Sequence, residues 1–297
     1  MTARIPLAET APDGTACLSF LAALEADGFK GEVSRAYADR TVLSTDNSIY
    51  QRLPRAVVYP RHADDLERLA RLAGDPAYRS VTFAPRGGGT GTNGQSLTDG
   101  IVIDTSRHMN HILAIDPVRR RVRVQTGVVK DQLNAALRPH GLFFAPELST
   151  SNRATIGGMV ATDASGQGSC EYGKTSHHVL AIDAFLIGGT RLITAPVEET
   201  ELEALCRRDD PIGRVYDCAR SIHDEQCSLI QPIFPPLNRC LTGYDLAHLR
   251  DGNGRFDLSR LICGAEGTLA LTSEITLNVL PIPAHTILVN IRYAGFM

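Results

Sequence analysis

The sequence predicts an α+β domain built from layers of helix and sheet. Three observations predict it. Short apolar runs of strand length recur at 56–60, 81–84 and 101–104. Stretches of helical period lie among them at 64–72 and 128–138. A glycine-rich loop, rather than a helix, joins two of the strands, and such a mixture of short elements fits a layered α+β architecture.

In chain order, residues 18–40 read as an amphipathic helix that ends near Gly28 and passes into a polar segment. Residues 56–60 (Ala-Val-Val-Tyr-Pro) are a strand, and 64–72 a helix with Asp64 as its expected cap. Strands follow at 81–84 and 101–104, and 112–116 with 121–125 form the arms of a hairpin around Pro117. Residues 128–138 are helical and stop at Pro139. A second group starts near Asn152, with a helix of small residues at 156–164, a strand at 180–187, a turn at Gly188-Gly189 and a partner strand at 191–194. Residues 198–230 are charged and helical and read as a surface insertion without evident chemistry. Further strands are expected at 261–262, 269–279 and 286–291, the last so close to the chain end that a truncation is expected there.

The chain has 297 residues, 43% hydrophobic and 21% charged, with a formal net charge of −3. That balance gives no reason to expect nucleic acid or an anionic membrane as partner. Residues 179–189 are the most apolar stretch, are interrupted by Asp183 and are too short to span a bilayer. The first residues lack the apolar core of a secretory signal, so a cytoplasmic location is expected. Seven scattered cysteines with no C-x-x-C pair argue against a disulfide framework or a zinc ribbon. Cys218, His223 and Cys227 do not share one helix face, which argues against a metal there.

The strongest local feature is Pro85-Arg-Gly-Gly-Gly-Thr-Gly-Thr-Asn-Gly94. Its five glycines, Gly87, Gly88, Gly89, Gly91 and Gly94, expose backbone N–H groups in a compact loop, as a phosphate cradle requires. Thr90, Thr92 and Asn93 add polar side chains, and Arg86 adds positive charge. A flexible surface turn is the alternative, but a turn needs one or two glycines rather than five. The spacing from Gly89 to Gly94 formally satisfies G-x-G-x-x-G, yet a strand follows instead of the helix that a dinucleotide fingerprint requires. No Gly-Lys-Ser/Thr follows either, which removes a P-loop.

The second feature runs from Pro146, Glu147 and Ser149 through Thr155, Ile156, Gly157 and Gly158 to Thr162, Asp163, Ser165 and Gly166. Hydroxyl residues lead into a helix start whose free N–H groups can meet phosphate. A tightly packed buried helix is the alternative. The third feature, Gly264-Ala-Glu-Gly-Thr268, is a turn entering a strand, with Glu266, Gly267 and Thr268 placed to meet a bound ring or ribityl chain.

In this order the three features resemble the FAD-binding domain of the vanillyl-alcohol oxidase superfamily, a two-subdomain PCMH-type fold, over residues 50–283. The runs Ser44-Thr-Asp-Asn-Ser-Ile-Tyr50, Ser149-Thr-Ser-Asn-Arg-Ala-Thr155 and Leu241-Thr-Gly-Tyr-Asp-Leu246 are similar to a bacterial FAD-linked subgroup like D-2-hydroxyglutarate dehydrogenase, related to D-lactate dehydrogenases. The resemblance implies FAD held between two α+β subdomains by the residues just named, with Tyr172 nearby. It implies a helical extension at 1–49, an insertion at about 198–258, and the start of a substrate domain at 284–297. It also implies oxidation of a small 2-hydroxy acid by hydride transfer to the flavin, and an iron–sulfur region C-terminal to these residues.

Members with tethered FAD carry His where Thr90 stands, so non-covalent FAD is expected. Asp163 replaces the usual Asn, and Ser165 the usual Gly. Lys174 could face a reduced flavin, whereas His177 and His178 read as a solvent-facing turn. A truncated module without turnover, and another flavoenzyme of the same fold, are the competing readings.

Overall fold

The computed structural model describes residues 14–234, 237 and 243–295. Helix α1 (Gly14–Ala26) buries Cys17, Phe20, Leu21 and Leu24, a spacing that lines one helix face. Strand β1 (Glu32–Ser34) and helix α2 (Tyr37–Val42) follow, then β2 (Ala56–Tyr59), α3 (Ala63–Ala73), β3 (Phe83–Arg86) and β4 (Ile101–Asp104). These strands form one sheet in the order β1-β2-β4-β3, with β2, β4 and β3 parallel and β1 an antiparallel edge. All four residues of β2 and of β4 are buried, as central parallel strands covered on both faces require. Phe20 and Leu24 of α1 meet Leu66 and Leu69 of α3 and Val58 and Ile103 of the sheet in one core.

The second layer group contains β5 (Ile112–Asp116), β6 (Arg121–Gln125), α4 (Lys130–Leu137), β7 (Leu142–Phe143), α5 (Ile156–Ala161), α6 (Ser169–Tyr172), β8 (Val179–Phe185) and β9 (Arg191–Thr194). Helices α7 (Glu199–Cys206), α8 (Pro211–Ile233) and α9 (Ser259–Ile262) come next, then β10 (Leu271–Asn278) and β11 (Leu280–Pro281). An antiparallel sheet runs β5-β6-β10-β8-β9, and β7 pairs with β11 apart from it. Strand β10 lies at its centre and buries every second residue from Leu271 to Leu277, the period of two that a one-sided sheet imposes. A second core collects Val124, Leu133, Phe144, Ile156, Ile182 and Ile275, and Leu202 and Tyr216 pin the helical segment α7–α8 onto it. Two α+β units with separate cores therefore make up the fold, as expected.

The structure corrects several local expectations. Asp64 does not cap α3. The residue before that helix is His62, without a side-chain cap, while Asp65 is fully buried and accepts hydrogen bonds from the backbone N–H groups of Lys30 and Arg61 at 2.8 and 2.9 Å. Residues 261–262 belong to helix α9 rather than to a strand, because the Asp257 carboxylate accepts from the Ser259 N–H and starts a turn there. The small-residue helix stops at Ala161 instead of 164, since Asp163 turns into the left-handed region at φ 45°. Residues 286–291 form no strand, and Ile287 is 83% exposed, with no neighbouring strand among the described residues to supply a ladder. Strand β1, helix α2 and the β7–β11 pair are too short to leave a period in the sequence.

Candidate functional site

A cavity of about 640 Å³ lies where the two units meet. One wall is the glycine loop between β3 and β4, a second is α5 with the residues on either side of it, and a third is the turn into β10. The loop supplies the donors. Among the described residues, the backbone N–H groups of residues 88–92 have no protein acceptor, whereas Asn93 donates to the Gln95 side chain. A row of unpaired N–H groups on a concave wall is an anion-binding surface. The loop must also pass very close to the second wall: a Cβ at Gly88 would land on the Arg153 carbonyl oxygen. Arg86 braces the loop from beneath, donating from Nη2 to the Thr45 carbonyl at 2.7 Å and from Nη1 to Ser96 Oγ at 3.3 Å. Its burial depresses the guanidinium pKa, which Asp104 and Asp46 partly offset.

The second wall departs from expectation. The N–H groups at the start of α5 are not free: Ile156 donates to the Val128 carbonyl, Gly157 to the Thr126 carbonyl at 2.8 Å, and Gly158 to the Thr155 hydroxyl at 3.2 Å. With only six residues, this helix also adds little dipole. The wall offers hydroxyls instead. Thr126 Oγ1 and Ser165 Oγ are buried, belong to cavity-lining residues, and have no hydrogen-bond partner among the described residues. Leaving a buried polar group unpaired costs about 1–3 kcal/mol, so both hydroxyls fit a ligand that pairs with them.

In the third wall Glu266 sits in the left-handed region at φ 52°, and burial raises its carboxyl pKa. Gly267, at φ 79°, leaves room for the Pro85 ring, on which a Cβ would fall. Beneath the second wall, Lys174 Nζ lies 2.6 Å from Asp163 and 3.6 Å from Asp245, all three side chains being nearly buried. Burial alone would lower the Lys174 pKa, but the hydrogen bond and charge of Asp163, aided by Asp245, raise it on balance. Asp163 also accepts from the Ser176 N–H at 2.8 Å and hydroxyl at 3.0 Å. For Asp245 the upward push of burial is outweighed by His248, which hydrogen-bonds it, and by Lys174, so its pKa is lowered.

Of the residues singled out from sequence, Arg86, Gly87, Gly88, Gly89, Thr90, Gly91, Thr92 and Asn93 line the cavity from one side. Thr155, Gly157, Gly158, Thr162, Asp163 and Ser165 line it from another, and Glu266, Gly267 and Thr268 from the third. Six do not line it. Ile156 is a core residue and Pro146 is buried, while Glu147 and Ser149 are exposed. Gly166 instead packs against the Glu147 carbonyl, and Tyr172 stacks edge-on with Phe143 at 5.6 Å. His178 is buried, not solvent-facing: its Nε2 lies 2.8 Å from the Tyr172 carbonyl and burial lowers its pKa. His177 is exposed as expected. Tyr244 and Asp245, from the run at 241–246, also line the cavity, and so does Thr126, although nothing in its local sequence sets it apart as a site residue. Leu241 and Thr242 lie outside the described residues.

The fold and this cavity define a flavin-binding class, and comparison with known proteins agrees. Residues 54–195 match the family described as FAD binding domain. The chain is 63% identical over 94% of its length to D-2-hydroxyglutarate dehydrogenase of Pseudomonas putida and 54% identical over 94% to that of Escherichia coli. It is 29% identical over 83% of its length to the glycolate oxidase subunit GlcD of Bacillus subtilis, covering 41% of that protein. It spans about 28% of the length of both dehydrogenases. A solved alkyldihydroxyacetonephosphate synthase shares the fold, with a TM-score of 0.62 and 18% identity over 90% of this chain and 44% of that one.

The cofactor is FAD, and the residues present fit it. The cavity is within the range of about 300–1,000 Å³ typical of small-molecule and cofactor sites. Unpaired N–H groups suit its pyrophosphate, and the two orphaned hydroxyls suit its polar atoms.

Proposed function

We propose that this chain is the FAD-holding part of an oxidoreductase that oxidises a D-2-hydroxy acid, 2-hydroxyglutarate- or lactate-like, to the 2-oxo acid. The observation that carries the proposal is a cavity with an unpaired N–H row and two orphaned hydroxyls, in a chain 63% identical to a D-2-hydroxyglutarate dehydrogenase. FAD, when bound, supplies the acceptor for the hydride that leaves the carbinol carbon. The chain's own residues bind and orient. Residues 88–92 donate backbone N–H groups to the pyrophosphate, Arg86 keeps that loop in place, and Thr126 and Ser165 hydrogen-bond the cofactor. Glu266, Gly267 and Thr268 form the wall opposite, and Gly88 lies too close to the Arg153 carbonyl for a side chain there. With Thr90 in the loop, FAD is held without a covalent bond.

Gripping the acid, and an iron–sulfur centre, belong in this proposal to the remainder of a protein as long as the matched dehydrogenases. Among the described residues no helix is long and apolar enough to cross a membrane, which supports a cytoplasmic location. The test is anaerobic addition of D-2-hydroxyglutarate and D-lactate. A polypeptide that contains these residues and spans the full length of the matched dehydrogenases is expected to lose its oxidised-flavin absorbance with a D-acid but not with the L-enantiomer. The present chain, loaded with FAD, is expected to stay oxidised. Bleaching of this chain alone, or no bleaching of the longer one by either D-acid, would overturn the proposal.

A further inference from the structure

Between α8 and α9 the chain returns to the cavity rim with Gly243, Tyr244 and Asp245, none of which belongs to the three walls described above. Tyr244 is 45% exposed, and its hydroxyl lies 2.7 Å from Thr268 Oγ1. Asp245 is 9% exposed, 3.6 Å from Lys174 Nζ, and accepts from the His248 N–H at 3.2 Å. The Gly243 carbonyl rests against Gly264, 2.9 Å from where a Cβ would stand.

Thr268 and Gly264 come from the turn into β10, and Lys174 from the segment beyond α5. All three line the same cavity, so residues 243–245 bridge two of its walls. From Leu246 onward the chain is fixed by the core, against which Leu246 packs and in which Leu249 and Phe256 are fully buried. Among the described residues, the Gly243–Asp245 side of the bridge is thus held by two polar ties and the side from Leu246 by apolar packing. A neutral hydrogen bond at a half-exposed side chain adds little net stability, and the Asp245–Lys174 pair is long at 3.6 Å, so the polar side can part from the walls while the core stays folded.

We infer that residues 243–245 are a clasp over the cofactor cavity, with Tyr244 and Asp245 the positioning residues that hold it closed, and that this clasp sets how fast FAD leaves. The inference rests on the FAD-binding reading of the cavity. A ligand seated behind the bridge leaves when the two ties open, and weakening either tie raises the fraction of time they are open. Uptake passes through the same opening, so its rate also rises or stays level, and it does not fall. The clasp adds a function to the helical segment, which carries its own end back onto the site.

The experiment compares the FAD-loaded chain with Tyr244→Phe, Asp245→Asn and the double variant. After dilution, FAD release is followed by flavin fluorescence, and hydrogen exchange is measured over 243–250. Tyr244→Phe is expected to speed release about fivefold, as the loss of one hydrogen bond would, and Asp245→Asn about tenfold, as for a bond to a charged group. The double variant should exceed both. Thermal midpoints should stay close to that of the unaltered chain, because Tyr244 is half-exposed and Lys174 keeps Asp163, while exchange at the Leu246 N–H quickens. Release at the unaltered rate in all three variants, from a chain that does bind FAD, would overturn the clasp alone. Failure of the unaltered chain to take up FAD would overturn the cofactor reading and the clasp with it.

Discussion

Gly88→Ala is expected to weaken FAD binding on the order of tenfold to a hundredfold, measured by flavin fluorescence titration. The added methyl would fall on the Arg153 carbonyl oxygen, which is backbone and cannot rotate away. Overpacking of this kind costs about 1–3 kcal/mol. Relief requires the glycine loop to move off the 153–155 segment, and that displaces the unpaired N–H groups of residues 88–92. The effect should therefore appear in cofactor affinity more than in thermal stability of the cofactor-free chain. Gly252→Ala is the control, since nothing lies within 4 Å of the Cβ it would add. Equal affinities for the Gly88 and Gly252 variants would contradict the account of the loop.

Lys174→Met is expected to be the most destabilising single substitution near the site. It leaves Asp163 and Asp245 buried without their shared cation, and breaking a buried ion pair by removing one partner costs about 3–5 kcal/mol. For a chain of this size that corresponds to a fall in Tm on the order of 10 °C. Ser176 and His248 still hydrogen-bond the two carboxylates, which keeps the loss toward the lower end. Lys174→Arg should retain most of the stability because it keeps the charge. An unchanged Tm for Lys174→Met in thermal unfolding would show that the cluster is not load-sharing in the fold.

Much of this was legible in the sequence because its signals are local. Five glycines in a short loop, the burial pattern of 271–278 and the continuous apolar strands at 56–59 and 101–104 each follow from neighbouring residues. What escaped depends on tertiary partners. Thr126 looks like any strand-end threonine until the fold leaves its hydroxyl buried and unpaired beside the cavity. Gly157 and Gly158 look like a phosphate-binding helix start, yet their N–H groups already donate to Thr126 and Thr155. Lys174 is far in sequence from Tyr244 and Asp245, and only the return of the chain after α8 brings them to one rim. Strand β1 and the β7–β11 pair are two or three residues long, which is below the length at which alternation can be recognised.

The most direct test of the central claim is an absorption spectrum of the purified chain, supplied with FAD, before and after acid precipitation. The account predicts a flavin spectrum on the folded protein that moves entirely to the supernatant, since Thr90 offers no tether. A chain that stays colourless after incubation with FAD would contradict the account, and colour retained in the pellet would contradict its non-covalent binding.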